Sequence, residues 1–243
     1  MALFSFRNPY CSAVIVAAGS ASRMRGIDKI FAELDGEPVI ARTMKAFAQN
    51  ASIREIVVVT REDRIESIGA LVKRQGISKV TAIVKGGASR AESVACGLAA
   101  VTRKEGLVAI HDGARPLVTD RILEAAIRCA RRFHASAPAI PVKDTVKLAD
   151  RSRIVTETPD RSSMFAVQTP QVFDFDLIRA ALQKAQADGV TLTDDCSAAE
   201  HLGVPVHLVE GSDENIKITT PIDLTVAAAI LQGRRDNENW TRL

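Results

Sequence analysis

The chain has 243 residues, of which 47% are hydrophobic and 25% charged, an ordinary composition for a globular α/β domain. Its formal net charge at pH 7 is +3, too small to favour a nucleic-acid partner, so any basic site must be local. No apolar run approaches the ~20 residues of a membrane-spanning helix, and we therefore expect one cytoplasmic domain over residues 1–243, with no membrane partner.

Short β-branched runs alternate along the chain with amphipathic segments of helical length. Strands are predicted at residues 13–18, 55–60, 79–84, 107–111, 137–142, 164–168 and 206–209. Helix starts are indicated by the capping box of Ser89 and Glu92 and by Thr220 followed by Pro221, and a core-facing helix is predicted over 120–133. This alternation predicts an α/β fold with a mostly parallel sheet and helices on both faces.

Residues 143–161 interrupt the alternation. Their polarity alternates around the Ala-Asp-Arg-Ser-Arg segment at 149–153, which predicts a β-hairpin within the domain. Because an isolated two-stranded hairpin is marginally stable in water, we expect it to pack against its own domain or against a second copy of the chain.

The first predicted strand runs into Ala17, Ala18 and Gly19, and the cations Arg23 and Lys29 follow. In a parallel α/β sheet, ligands bind outside the carboxyl ends of the strands, where small residues let the backbone approach them. Backbone N–H groups and the two cations would suit a polyphosphate. The segment lacks the glycines of the P-loop and of the dinucleotide fingerprint. Taken alone, it also fits a strand-to-helix loop with solvated cations.

Three later segments repeat this arrangement of glycine or charge beside a strand end or helix start. A second glycine turn, with Gly87, follows the third predicted strand, and Asp112 and Arg115 follow the fourth. Lys217 precedes a capped helix. Since the carboxyl ends of parallel strands share one edge, these cations and Asp112 are placed to converge at one crevice.

Eight motifs occur in order over residues 13–224: A-A-G-x-x-x-R-M, G-G-x-x-R-x-x-S-V, H-D-x-A-R-P, D-T, D-R, T-P-Q, T-D-D and N-I-K-I-T-x-P-x-D-L. On these motifs the chain resembles the 2-C-methyl-D-erythritol 4-phosphate cytidylyltransferase family of the non-mevalonate isoprenoid pathway. The resemblance implies a Rossmann-like nucleotidyltransferase fold and a homodimer. It also implies Mg²⁺-dependent transfer of CMP from CTP to a sugar-alcohol phosphate, with release of pyrophosphate.

The resemblance further implies roles for individual residues. Cytidine binding would fall to Ala17, Ala18, Gly19, Gly87 and Ser93. The triphosphate and the charge at its α-phosphorus would fall to the catalytic residues Arg23, Lys29 and Lys217. The sugar phosphate would contact Asp112, Arg115, Thr145, Arg161, Thr169 and Thr193, and Asp112 would also lie near the metal. In this family the hairpin arm reaches across the dimer, so Thr145 and Arg161 are expected to serve the neighbouring subunit's site.

The implied chemistry agrees with the residues. The nucleophile would be a phosphate monoester whose second pKa is about 6, so it is largely dianionic at neutral pH and needs no protein general base. The reaction needs cations that relieve the repulsion between two anions and hold an in-line approach.

Two alternatives stay open from the sequence. A ribitol 5-phosphate cytidylyltransferase shares most of these segments, although Ala114 and Ile216 resemble the methylerythritol enzymes more. A nucleotide-binding module without catalysis is suggested by the altered first loop. There Ala21 stands where the family usually has glycine, and Asp28 places an acid beside Lys29, which weakens the local positive field.

Several of these residues also have a purely structural interpretation. Arg90 fits a surface ion pair as well as it fits a site, and Thr193 fits a helix N-cap. Asp223 is expected to cap the helix after Lys217, and His111 to be a hydrogen-bonded core residue rather than a metal ligand.

Overall fold

A computed structural model of the protein describes residues 10–19 and 28–240, with side chains described to residue 237. The strands in this part of the chain are β1 (Cys11–Ala17), β2 (Glu33–Leu34), β3 (Glu37–Pro38), β4 (Ile53–Thr60), β5 (Val80–Lys85), β6 (Leu107–Asp112), β7 (Ala135–Pro141), β8 (Leu148–Ala149), β9 (Val155–Glu157), β10 (Phe165–Val167), β11 (Gln171–Asp174) and β12 (His207–Glu210). The α-helices are α1 (Val39–Gln49), α2 (Ile65–Gln75), α3 (Arg90–Ala100), α4 (Asp120–Phe133), α5 (Phe175–Ala187), α6 (Asp195–His201) and α7 (Pro221–Trp240).

The main sheet is mostly parallel, as predicted. β1 lies at its centre, paired in parallel with β4 and β6, and β5 extends the sheet beyond β4. On the other side β7 pairs in parallel with β12. Each of the seven predicted strands is present within two residues of its predicted ends.

An antiparallel insertion was not predicted. β11 lies between β6 and β7 and runs against both, and β10 runs against β7. The sequence did not reveal β11 because it follows Pro170 directly and has only two apolar residues, between Gln171 and Asp174.

The core consists of two apolar layers, one on each face of the sheet. On one face α1, α2 and α4 pack around Ile15 and Phe47; on the other α3, α5 and α6 pack around Val14 and Phe173. All four side chains are fully buried, and burying each stabilises the fold by roughly 1.5–3 kcal/mol. α7 closes a smaller cluster that includes Ala227. Among the described residues, no helix is both long enough and apolar enough to cross a bilayer.

The helix starts and the hairpin follow the sequence. The Ser89 hydroxyl accepts a hydrogen bond from the Glu92 N–H, and α4 occupies residues 120–133. β8 and β9 form the hairpin at 143–161, and its turn is closed by Asp150, whose carboxylate accepts the N–H groups of Ser152 and Ile154. The hairpin leaves apolar side chains of both its strands and its turn exposed: Leu148, Ile154 and Val155.

Candidate active site

A cavity of about 410 Å³ opens at the carboxyl edge of the sheet, where β1, β5 and β6 end. This is the place at which parallel α/β sheets bind ligands. Its lining includes the following residues singled out from the sequence: Ala17, Ala18, Gly19, Lys29, Gly87, Ser93, Asp112 and Lys217. Residues separated by up to 200 positions in the chain therefore meet at one site, as predicted.

The glycine turn after β5 has no room for a larger residue. A Cβ atom on Gly87 would lie 2.3 Å from Cβ of Glu92, and one on Gly86 would lie 2.7 Å from both Ala18 Cβ and Ser93 Oγ. Glu92 fixes the turn by accepting a hydrogen bond from the Ala88 N–H at 3.0 Å. These contacts require glycine at both positions, and Gly87 lines the cavity. Sequence reasoning did not assign Gly86 or Glu92 to the site, although Gly86 belongs to the glycine turn and Glu92 to the capping box that it identified.

Asp112, the last residue of β6, is surrounded by cations. Its carboxylate lies 2.9 Å from Lys217 Nζ, 3.4 Å from Arg115 Nε and 3.6 Å from Arg90 Nη2. Burial by itself raises the pKa of Asp112, but Lys217 and Arg90 outweigh that effect and hold the pKa well below its usual range. Asp112 is therefore ionised at neutral pH, and the three cations leave an excess of positive charge at the cavity.

The sequence left open whether Arg90 forms a structural ion pair or belongs to the site, and in the structure it does both. Its guanidinium lines the cavity and also pairs with Asp195, 2.7 Å away and fully buried at the start of α6. Burial raises the pKa of Asp195, and Arg90 opposes this shift. The pair thus links the amino ends of α3 and α6 behind the cavity.

Asp112 is held from behind by Thr169 and His111. The Thr169 hydroxyl accepts the Asp112 N–H at 3.1 Å and lies 2.9 Å from Nδ1 of His111. Nε2 of His111 is 3.2 Å from the Arg115 carbonyl, which can only accept, so the ring proton sits on Nε2 and the Thr169 hydroxyl donates to Nδ1. Burial lowers the pKa of His111 to about 4, so the ring is neutral. His111 is the hydrogen-bonded core residue that was expected, and Thr169 supports Asp112.

The acid beside Lys29 has a partner of its own. The Asp28 carboxylate pairs with Arg64 at 2.9 Å and accepts the Ile30 N–H at 3.3 Å. Arg64 therefore offsets the negative charge that Asp28 brings to this loop, and the departure from the family pattern does not remove the positive field that Lys29 adds to the cavity.

Other site residues of the sequence analysis lie away from the cavity lining. Thr145 and Arg161 are exposed at the base of the hairpin, where the Arg161 guanidinium donates to the Lys143 carbonyl at 2.8 Å. Thr193 precedes α6, and the expectation that it caps this helix is wrong by one residue, because the cap is Asp194. Arg23 lies outside the described residues.

Asp223, by contrast, is the capping acid that was expected. Its carboxylate accepts the N–H groups of Thr219 and Thr220 ahead of α7. It therefore holds the end of the segment that carries Lys217.

The site has few ligands for a metal ion. Within the described ranges, no three His, Cys, Asp or Glu side chains are grouped to hold one, and Asp112 supplies the acidic side chain of the lining. Oδ2 of Asp112 faces Lys217 and Arg115, whereas Oδ1 has its nearest cation, Arg90, at the longer distance of 3.6 Å. A single carboxylate suits an ion that is held mainly by phosphate oxygens and water, as Mg²⁺ often is.

A mostly parallel α/β sheet with a tight glycine turn and clustered cations at its carboxyl edge suits a nucleotidyltransferase. The chain belongs to the 2-C-methyl-D-erythritol 4-phosphate cytidylyltransferase (IspD) family, whose model matches residues 11–233. It is 47% identical over 221 residues to the protein of that name from Halalkalibacterium halodurans, covering 90% of this chain and 96% of the relative. A relative of the same name from Caldanaerobacter subterraneus is 45% identical and is covered to 98%.

Solved structures agree with this assignment. The fold matches the crystal structure of 4-diphosphocytidyl-2C-methyl-D-erythritol synthase from Anaerococcus prevotii with a TM-score of 0.82 and 33% identity, over 93% of this chain and all of that one. The 2-C-methyl-D-erythritol 4-phosphate cytidylyltransferase from Thermus thermophilus matches with a TM-score of 0.75 and 32% identity, over 91% of this chain and 98% of that one.

Proposed function

We propose that this chain transfers CMP from CTP to 2-C-methyl-D-erythritol 4-phosphate. The products are 4-diphosphocytidyl-2-C-methyl-D-erythritol and pyrophosphate, and the reaction belongs to cytoplasmic isoprenoid precursor biosynthesis by the non-mevalonate route. The observation that carries the proposal is the convergence of Lys217, Arg90 and Arg115 on Asp112, beside the glycine turn of the cavity. The curated relatives that carry this enzyme's name supply the substrate pair.

CTP enters between the two small-residue turns. The base and ribose lie against residues 17–19, Gly87 and Ser93, where close backbone approach is possible. Lys29 and Lys217 line the same cavity and face the triphosphate, and the resemblance adds Arg23 to this group. Asp112 and Arg115 would face the sugar phosphate, with Thr169 behind Asp112, and the resemblance adds Thr193 on that side.

The chemical step forms one bond and breaks one. A phosphate oxygen of the sugar phosphate attacks the α-phosphorus of CTP, and the bond to the bridging oxygen of the leaving pyrophosphate breaks. The attacking group is already dianionic at neutral pH, so the chain's cations act by offsetting charge and aligning the two anions. His111 supports this scheme because it is buried, neutral and bonded at both nitrogens, which leaves it no role as a base.

Mg²⁺ is proposed as the cofactor. It would arrive on the phosphates of CTP and be held by phosphate oxygens and water, and Asp112 is the carboxylate that the described residues offer it in the cavity lining. When bound, it supplies charge neutralisation at the triphosphate.

The active form is proposed to be a homodimer joined through the hairpin. Leu148, Ile154 and Val155 are 47%, 64% and 54% exposed, and a second copy of the chain would cover them. Thr145 and Arg161, which lie outside the cavity of their own chain, would then reach the neighbouring cavity.

Mixing two impaired variants tests the shared site, with the sugar phosphate held well below its KM. If Arg161 serves the partner's cavity, Arg161→Ala and Lys217→Ala subunits, unfolded and refolded together, form mixed dimers with one intact site, which add up to about a quarter of wild-type activity to that of the remaining Arg161→Ala dimers. No recovery in verified mixed dimers would contradict the proposal.

Turnover by the full chain tests the reaction itself. The purified protein is incubated with CTP, Mg²⁺ and either 2-C-methyl-D-erythritol 4-phosphate or ribitol 5-phosphate, and pyrophosphate release is followed. We expect product with the first substrate only. Product with ribitol 5-phosphate alone, or CTP binding without turnover, would overturn the proposal in favour of the corresponding alternative.

A further inference from the structure

Asn215 is a fully buried polar residue that lies two positions before Lys217. Neither the motif roles nor the cavity lining assigns it a function. Its side chain is packed between the segment that carries Lys217 and the chain at Gln168 and Thr169, which lies behind Asp112. Burying an amide in this way is unfavourable unless it is hydrogen-bonded. Oδ1 of Asn215 has no partner among the described residues, so the contacts of Nδ2 show what the side chain holds.

The Asn215 amide joins these two segments. Nδ2 donates to the Thr169 carbonyl at 3.0 Å and to Oε1 of Gln168 at 3.2 Å. Gln168 completes the connection, because its own Nε2 donates to the Ser212 carbonyl at 2.8 Å. The loop from 212 to 215 is therefore fastened at both ends to the chain that supports Asp112.

The main chain at Asn215 also contacts Arg115. Its carbonyl accepts a hydrogen bond from the Arg115 guanidinium at 2.7 Å, while Arg115 also faces Asp112. Beyond Lys217, the Ile218 N–H donates to the Ala114 carbonyl at 2.8 Å. The backbone of Lys217 is thus held on one side by Asn215 and on the other by Ile218, and its ammonium group is 2.9 Å from Asp112.

We propose that Asn215 is a positioning residue, whose buried amide sets the place of the Lys217 ammonium relative to Asp112 and the triphosphate. This inference rests on the proposed function. Ile218 ties down the far side of Lys217 through its backbone N–H and its fully buried side chain, so loss of the Asn215 amide loosens the near side without unfolding the loop. Since small displacements of a reacting or charge-stabilising group are costly, we expect a loss in kcat on the order of 10²-fold.

The test compares Asn215→Ala with Asn50→Ala, a matched control. Asn50 is also buried and donates through Nδ2, to Glu124 at 2.9 Å, but it lies before β4, at the opposite edge of the sheet from the cavity. Both variants lose buried hydrogen bonds and should melt at lower temperature. Measured well below both melting temperatures, Asn215→Ala should lose kcat and Asn50→Ala should keep it.

Coupling to Lys217 separates positioning from general destabilisation. In single-turnover measurements, adding Asn215→Ala to Lys217→Ala should lower the rate by less than about threefold, because the ammonium group that Asn215 positions is already absent. The inference is overturned if Asn215→Ala keeps kcat within about twofold of wild type, or if its loss persists undiminished in the Lys217→Ala background. Asn215→Ser, which keeps a hydroxyl donor, is judged by the same criteria if Asn215→Ala does not fold.

Wild-type turnover is measured first in the same assay. Absence of product from the wild type would refute the proposed function and this inference with it. Normal wild-type turnover with unimpaired Asn215→Ala would refute the inference alone.

Discussion

The cavity at the carboxyl edge of the sheet and the hairpin at 143–161 are both assigned substrate contacts, but their construction differs. In the cavity, Asp112 is 11% exposed and has three cations within 3.6 Å. In the hairpin, Leu148 and Val155 are about half exposed, and the Lys147 ammonium donates a hydrogen bond to the Thr158 hydroxyl in an exposed position. The cavity is held together by this chain's own buried contacts, whereas the hairpin has its apolar side chains turned to solvent.

This difference determines how strongly the charged groups of each region interact. Charges act strongly on one another when they are removed from water and weakly when they are exposed. The cavity is therefore preorganised by a single subunit, and substitutions there should change rate and stability. The hairpin would be stabilised mainly by contacts with a second subunit. Substitutions there should therefore change the KM for the sugar phosphate and have little effect on the stability of the fold.

The largest effect is expected at Lys217. Lys217→Ala removes the cation nearest Asp112, and kcat should fall on the order of 10²–10³-fold, or ~3–4 kcal/mol of barrier, with the far-ultraviolet circular dichroism unchanged. Lys184→Ala is the control, because Lys184 pairs with Asp188 on the surface of α5 and should leave kcat unaltered. Unimpaired turnover by Lys217→Ala would rule out its role.

A pH-dependent loss of stability is expected for Asp112→Asn. Because the folded state holds the pKa of Asp112 below its unfolded value, the ionised carboxylate stabilises the fold above that unfolded pKa, and the stabilisation fades as pH falls through the folded one. Removing the charge takes away the buried carboxylate that three partly exposed cations face, so the free energy of unfolding at pH 7 should drop by about 2 kcal/mol. Urea titrations at pH 7 and pH 3 should show a smaller difference from wild type at pH 3.

The control for this experiment is Asp63→Asn. Asp63 also has a lowered pKa, chiefly through its hydrogen bond to Arg61, but it is exposed. Its loss should be hard to detect at either pH. A difference for Asp112→Asn that stays the same from pH 7 to pH 3 would mean that its charge does not stabilise the fold.

Much of this architecture could be predicted from the sequence, since local patterns encode it. The alternation of β-branched runs with helix caps gave the parallel sheet and α4, and the 149–153 segment gave the hairpin turn. The position of small residues and cations after strands gave the cavity, because the carboxyl ends of parallel strands must meet.

Other parts depend on tertiary contacts that no local pattern records. β11 is four residues long and is a strand only because β6 and β7 pair with it on both sides. Asn215 and Gln168 gain their importance from a hydrogen bond that spans 47 positions. The pairing of Asp28 with Arg64, 36 positions apart, likewise could not be predicted from the sequence around Lys29. There Asp28 by itself indicated a weakened positive field.

A smaller effect is expected from crowding the glycine turn. In Gly87→Ala the new methyl group would lie 2.3 Å from Cβ of Glu92, so the turn must shift and the KM for CTP should rise about tenfold, or ~1.4 kcal/mol. Gly69→Ala, within α2, is the control, since its Cβ would meet only Ile83 at 3.8 Å. Equal KM values for the two variants would show that the turn does not bind CTP.

The smallest effect is expected in the hairpin. Arg161 is exposed and its visible contact is the Lys143 carbonyl, so Arg161→Ala should leave the melting temperature of the subunit nearly unchanged. If its guanidinium binds the sugar phosphate in the neighbouring cavity, the KM for that substrate should rise about fivefold, or ~1 kcal/mol, while the KM for CTP stays constant. The control is Arg151→Ala, which removes a positive charge from the hairpin turn and should change neither of the two KM values. Equal increases in both KM values for Arg161→Ala would instead place its effect on the whole cavity, and the contrast between a self-supporting cavity and a partner-dependent hairpin would fail.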